Sequence, residues 1–127
     1  MIDRKGAMQM GTPEEYKISD HFAGKDPAVF AIYQCLLAET AKFGPVIEQP
    51  KKTSIHLVSK SAFAGVVTRK SSLLLNIKSA APIQDARIVH FEQVSSNRFH
   101  QEVKLTSLED IDSRLLGWLK NAYEMSS

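Results

Sequence analysis

Cysteine is nearly missing from this sequence: Cys35 is the only one in 127 residues. No intrachain disulfide can form, and no cysteine-rich zinc site can be built within one chain. A reducing compartment fits best. Long apolar runs are missing too. None approaches the roughly 18 residues that a membrane span needs, and the N-terminus lacks the apolar core of a signal peptide. A cytoplasmic protein without a membrane partner is therefore expected. Neither sign of charge dominates: 16 basic side chains face 14 acidic ones, for a net charge of +2. That is too little to establish a nucleic-acid partner by bulk electrostatics, so any such partner needs a local patch. The glycines form neither a G-x-x-x-x-G-K-[ST] loop nor a G-x-G-x-x-G fingerprint, and there is no G-x-S-x-G elbow. Nucleotide binding through those loops, and the hydrolase chemistry of that elbow, are unsupported.

What is present is ordinary for a globular domain. Apolar residues make up 43% and charged residues 24%, which argues against disorder, and a chain of this length is expected to form one core. Residues 1–25 hold Gly6, Gly11, Pro13 and Gly24 among polar residues without sustained periodicity, so residues 1–20 read as a flexible arm and 21–127 as a single domain. Asp26 before Pro27 is an N-cap followed by proline at the first helical position, where a missing N–H costs nothing. Val29, Ile32, Tyr33, Leu36, Leu37, Thr40 and Phe43 follow at helical spacing, and Gly44-Pro45 is the stop.

From residue 46 to 105 the period shifts toward two. The runs 46–49, 53–59, 62–68, 72–78, 87–93 and 99–105 read as strands. Several joints are only two to four residues long, which permits hairpins and no parallel crossover. Ser107 with Asp110 resembles a capping box opening a second helix, whose stripe is Leu108, Ile111, Leu115, Trp118, Leu119 and Ala122. The expected architecture is α+β: a largely antiparallel sheet of about five or six strands, arranged as a meander and flanked by an N-terminal and a C-terminal helix.

Four histidines, His21, His56, His90 and His100, are the first suspects for acid–base work or metal ligation. Their spacings match no zinc pattern, so no metal and no cofactor are expected, and solvated or hydrogen-bonded sheet residues are the plainer reading. Cys35, among Tyr33, Leu36 and Leu37, reads as a core thiol. Glu109, Asp110 and Asp112 complement a helix dipole. Phe63, Phe91 and Phe99 could stack bases if exposed, but their alternation with polar neighbours suits burial under the helices. Cations remain, scattered on or beside the strands: Lys51, Lys52, Arg69, Lys70, Lys78, Arg87, Arg98 and Lys104, with Asp85, Glu92 and Glu102 the only acids between Lys51 and Lys104. Converging on an uncovered sheet face, they would bind a carboxylate, a phosphate or a nucleic-acid backbone. Otherwise they are a solvated rim.

Asp20-His21-Phe22-Ala23-Gly24-Lys25, Phe43-Gly44-Pro45-Val46, Lys52-Thr53-Ser54-Ile55 and Phe63-Ala64-Gly65-Val66 occur in that order. They are followed by Phe99-His100-Gln101-Glu102-Val103-Lys104-Leu105, Ser107-Leu108-Glu109-Asp110-Ile111-Asp112 and Trp118-Leu119-Lys120-Asn121-Ala122-Tyr123. This ordered set resembles the bacterial domain-of-unknown-function family numbered fifty-six fifty-five, from about His21 to Tyr123. The resemblance implies no catalytic residues. Some members carry a cysteine/histidine zinc ribbon ahead of the D-H-F-A-G-K run, which hints at nucleic acid; the arm here has no cysteine, so that ribbon does not carry over. Lys52 and His100 match the family pattern in place, although either has a plainer role, as a strand-flanking charge or a cross-sheet hydrogen-bonding group.

Three functions follow as expectations. The first is a non-catalytic binding module in which Lys52, Arg69, Arg87 and His100 receive an anionic ligand or nucleic acid on the open sheet face. The second is a small enzyme using His56, His90 or His100 as general base, which requires two histidines, or a histidine and an acid such as Glu102, to converge. No catalytic motif decides whether the protein is an enzyme. The third is a homodimeric interaction domain that pairs sheet edges or helix faces through residues such as Tyr33, Trp118 or Tyr123.

Overall fold

A computed structural model of the chain describes residues 16–126, and Pro27 opens its first helix, α1 (Pro27–Thr40), as expected. Asp26 takes the extended N-cap conformation, yet its carboxylate does not cap its own helix. It accepts a 2.7 Å hydrogen bond from the Ser71 hydroxyl, while the Asp26 N–H donates to the Lys70 carbonyl at 2.9 Å. The helix start is thereby tied to a loop of the sheet. The helix stops at Thr40, ahead of the expected glycine stop, and turns through residues 41–43. Gly44 then adopts φ +151°, where a Cβ would come 2.4 Å from the Tyr123 hydroxyl. That hydroxyl donates to the Pro45 carbonyl at 2.9 Å. Glycine is required here by close approach as well as by backbone conformation.

The six expected strands form with small shifts at their ends: β1 (Ile47–Pro50), β2 (Ile55–Val58), β3 (Ala62–Thr68), β4 (Leu73–Ser79), β5 (Ile88–Ser95) and β6 (Arg98–Leu105). They make one antiparallel sheet in the order β1-β2-β3-β4-β6-β5. The first four strands are a meander; the last hairpin is not its continuation. Strand β6 inserts between β4 and β5, so β4 and β5 run parallel to each other and residues 80–87 must cross β6 to join them. Eight extended residues reach about 26 Å, enough to traverse the strand. The crossing is fastened by Gln101, a fully buried amide. Its Oε1 accepts from the Ile83 N–H at 2.8 Å, and its Nε2 donates to the Ile77 carbonyl at 3.2 Å and the Ser79 hydroxyl at 3.0 Å.

The second helix, α2 (Ser113–Met125), starts later than the Ser107–Asp110 pair suggested. That pair opens only a short 3-10 turn, Leu108–Asp110, in which the Asp110 carboxylate accepts from the N–H groups of Thr106 and Ser107. Asp112 caps α2 itself, accepting from the Leu115 N–H at 2.9 Å. The break leaves Leu108 exposed, outside the stripe where it was expected. Leu115, Leu119 and Ala122 are buried with Val29, Ile32, Tyr33 and Leu36 of α1 against one sheet face. Ile55, Leu57, Ala64, Val66, Leu73, Leu75, Ile77, Val103 and Leu105 supply that face. Each valine, leucine or isoleucine among them removed from water contributes about 1.5–3 kcal/mol, set against the entropy of ordering the chain. Phe63 and Phe99 are buried as expected, but Phe91, on the edge strand β5, is exposed and stacks on Phe99. Cys35 is half-buried, not in the core proper.

Ahead of α1, the 3-10 turn Ile18–His21 docks on the sheet end. His21 is buried; its Nε2 lies 2.8 Å from the Lys51 carbonyl, and its own carbonyl accepts from the Thr68 hydroxyl. The expected arm thus ends in a fastened turn, and its residues 1–15 lie outside the described residues. Among the described residues, no helix is long and apolar enough to cross a membrane.

Candidate functional site

Alternation decides what the other sheet face carries. Ile55 and Leu57 point to the helices, so His56 points away; Val66 does likewise for Gly65, Leu75 and Ile77 for Asn76, and Val103 for Glu102. The register lines these residues up. His56 pairs with Gly65, Gly65 with Asn76, Asn76 with Glu102, and Glu102 with His90, a row across five successive strands. The next row is Lys78, His100 and Glu92. Directly opposed side chains in such rows sit about 4.5–5.5 Å apart at Cβ.

A trough of about 320 Å³ lies over these rows. Its polar lining is Ser54, His56, Asn76, Lys78, His100 and Glu102, and Ala62 and Val67 give it apolar wall. Gly65 makes the floor. A Cβ there would meet Asn76 Cβ at 3.7 Å and His56 Cδ2 at 3.9 Å, ordinary contact distances, and the Gly65 backbone is not in the left-handed region. Neither strain nor crowding explains this glycine; what a side chain would do is fill the trough.

The polar groups around it have capacity to spare. Among the described residues, the side chains of His56, Asn76, Lys78, His100 and Glu102 form no hydrogen bond or ion pair. Burial lowers the pKa of Lys78, and the positive charge of Arg98 lowers it further. An ammonium taken partly out of water without a carboxylate carries a charge that the protein leaves uncompensated. Burial also lowers His56, with Lys51 adding to the effect, and holds its imidazole neutral at pH 7.

The four residues expected to converge, Lys52, Arg69, Arg87 and His100, do not share one surface. His100 lines the trough. Lys52 and Arg69 stand exposed on loops at the sheet end where Ser54 and Val67 open it. Arg87 lies on the helix side: it donates to Asp85 at 3.0 Å and to the Asp110 carbonyl at 2.8 Å, pairs with Asp112 at 3.3 Å, and stacks 5.2 Å over Trp118. That guanidinium is spoken for. Its side-chain and backbone hydrogen bonds hold the Asp85 carboxyl well below the usual carboxylate range. Sequence reasoning singles out neither Asn76 nor Gly65 as a site residue; it has Lys78 only among the scattered charges, and Glu102 also as the acid that could converge with a histidine. The signal that finds them is the parity of 55–57, 75–78 and 101–103, read together with the strand order.

A larger groove, about 890 Å³, runs between residues 79–84 and α2, past Trp118 and Met125. Its cation, Arg114, is already paired with Asp85 at 3.3 Å, so the smaller trough is the better site. Among the described residues, no cluster of three or more His, Cys, Asp or Glu side chains is arranged to hold a metal ion. No curated protein and no solved structure matches this chain. A family model does match, over residues 18–126, nearly all of the α+β unit just described; the chain belongs to the family described as a domain of unknown function, DUF5655.

Proposed function

We propose that this domain is a binding module that receives a small anionic ligand in the trough over Gly65. The observation that carries this reading is Lys78, a half-buried ammonium with no carboxylate partner among the described residues, beside His100 at the wall of that trough. A cleft of about 300 Å³ or more with a few convergent polar groups is the usual form of a small-molecule site. A carboxylate or phosphate there would be met by Lys78 and His100, with Asn76 and the Ser54 hydroxyl left for neutral polar atoms. Glu102 tells against a highly charged polyanion at the centre and suits a ligand that also carries a donor. Lys52 and Arg69, at the open end, are where a longer anion such as a nucleic-acid strand would continue.

The second reading, an enzyme with a sheet histidine as general base, has His56 in its favour. A neutral imidazole at pH 7 can accept a proton, and Glu102 and His100 line the same trough. Those groups make no hydrogen bond to one another, which leaves binding as the better-supported role.

The test is a thermal-shift screen of carboxylates, phosphates and short oligonucleotides against the full chain, with Gly65→Ala and Lys78→Met beside it. Binding to the native state raises Tm by mass action. A compact anion that stabilises the parent protein and neither variant is the expected result. Equal stabilisation of the variants, or no response to any anion, would overturn the reading. Stabilisation by oligonucleotides that fades steeply with salt would assign the nucleic-acid version, and consumption of a stabilising compound would bring back the enzyme.

A further inference from the structure

The two edges of the sheet are built differently. Strand β1 is four residues long and ends in Pro50, which has no N–H to offer a further strand, and its Glu48 accepts a 2.7 Å hydrogen bond from Tyr33. That is a blunted edge. Strand β5 has eight residues, Ile-Val-His-Phe-Glu-Gln-Val-Ser, without lysine, arginine or proline, and all but Ile88 are exposed. Val89, Phe91 and Val94 expose 55%, 45% and 55% of their surface. An edge this long, with exposed apolar side chains and neither lysine, arginine nor proline, is a template for another strand along its regular middle.

We propose that β5 is the seam of a homodimer, in which two copies of the strand pair antiparallel about a twofold axis at Phe91. The choice of a second copy rests on self-complementarity. Pairing about Phe91 sets His90 against Glu92 of the other copy and Glu92 against its His90, both on the open face, where Glu102 and His100 stand beside them in the same rows. On the helix side it sets Phe91 against Phe91, each ring already stacked on Phe99 at 5.5 Å. A twofold moved one residue forward would oppose two Glu92 carboxylates, and one moved back would oppose two His90 rings, so the neighbouring registers are disfavoured. Register shifts between Ile88 and His90 and between Gln93 and Ser95 confine regular pairing to the middle of the strand. The seam is therefore smaller than the ~800 Å² per partner of a standard interface, and the dimer is weak and concentration-dependent. A twofold axis perpendicular to the sheet also puts both open faces, each with its trough, on the same side.

Two measurements on the full chain test this. Sedimentation equilibrium over a wide concentration range is expected to show a monomer–dimer equilibrium that His90→Glu weakens and that the exchange His90→Glu with Glu92→His restores. In a Cys35→Ala background, Phe91→Cys is expected to oxidise to a covalent dimer at least about tenfold faster than Gln93→Cys, because only residue 91 meets its own copy at a separation that a disulfide spans after a small shift. A protein monomeric at every concentration overturns the proposal. So does cross-linking of Gln93→Cys as fast as Phe91→Cys, or a dimer indifferent to the charge exchange.

Discussion

The two faces of this sheet are made by the same strands, residue by residue in alternation, and they differ in what their side chains do. Ile55, Leu57, Val66, Leu75, Ile77 and Val103 are fully buried under the two helices. Their sequence neighbours His56, Asn76, Lys78 and Glu102 line a trough around Gly65, and their side chains hold no hydrogen bond or ion pair within the described residues. One face is consumed by stability. The other keeps polar side chains without a protein partner among the described residues, and the proposed site rests on them.

That contrast can be broken most sharply at β4. Leu75→Ala should cost about 2–5 kcal/mol, the loss typical of a fully buried leucine, whereas Asn76→Ala should change stability by less than about 0.5 kcal/mol; chemical denaturation of the two variants measures the difference. Next in size is an acid effect from the helix side. The Asp85 carboxyl is held low in the folded state by Arg87, so its contribution is fully present above the unfolded-state value of about 3.9 and is lost as pH falls through the folded value. Wild type and Asp85→Asn should accordingly differ in Tm at pH 7 and converge as the pH is lowered below about 4.

The open face sharpens the comparison with smaller effects. Gly65→Ala should leave stability unchanged or raise it by about 0.5–1 kcal/mol, since glycine is entropically costly in a strand and the new methyl group meets only ordinary contacts. The same change should abolish anion binding by filling the floor. Lys78→Met should move stability by no more than about 0.5 kcal/mol while removing the response to anions. A large loss of stability in either variant would mean that the open face is structural after all.

Much of the fold was legible because its signals are local. The Asp26-Pro27 start, the strand run 62–68 and the short antiparallel joints depend on spacing within a few residues, and the structure follows them. The misreadings arose where distant parts of the chain compete. Ser107 and Asp110 satisfy each other in a short turn, while Asp112 captures the helix start. Phe91 alternates like a buried residue, but it lies on an edge strand with a neighbour on one side alone. Arg87 reads as one more loose cation; its pairing with Asp85 is local, and the crossing of residues 80–87 over β6 brings it onto Asp112 and Trp118.

By itself, then, the sequence determined the α+β class, the two helices, the six strands and the antiparallel pairing. It did so because helix caps, period-two alternation and turn lengths act between near neighbours. Tertiary structure alone decided that β6 inserts between β4 and β5, and with it the row His56, Gly65, Asn76, Glu102, His90 and the placing of Lys78 beside His100. Strand order depends on pairing between segments far apart in the chain, and no local spacing encodes which strand will become another's neighbour.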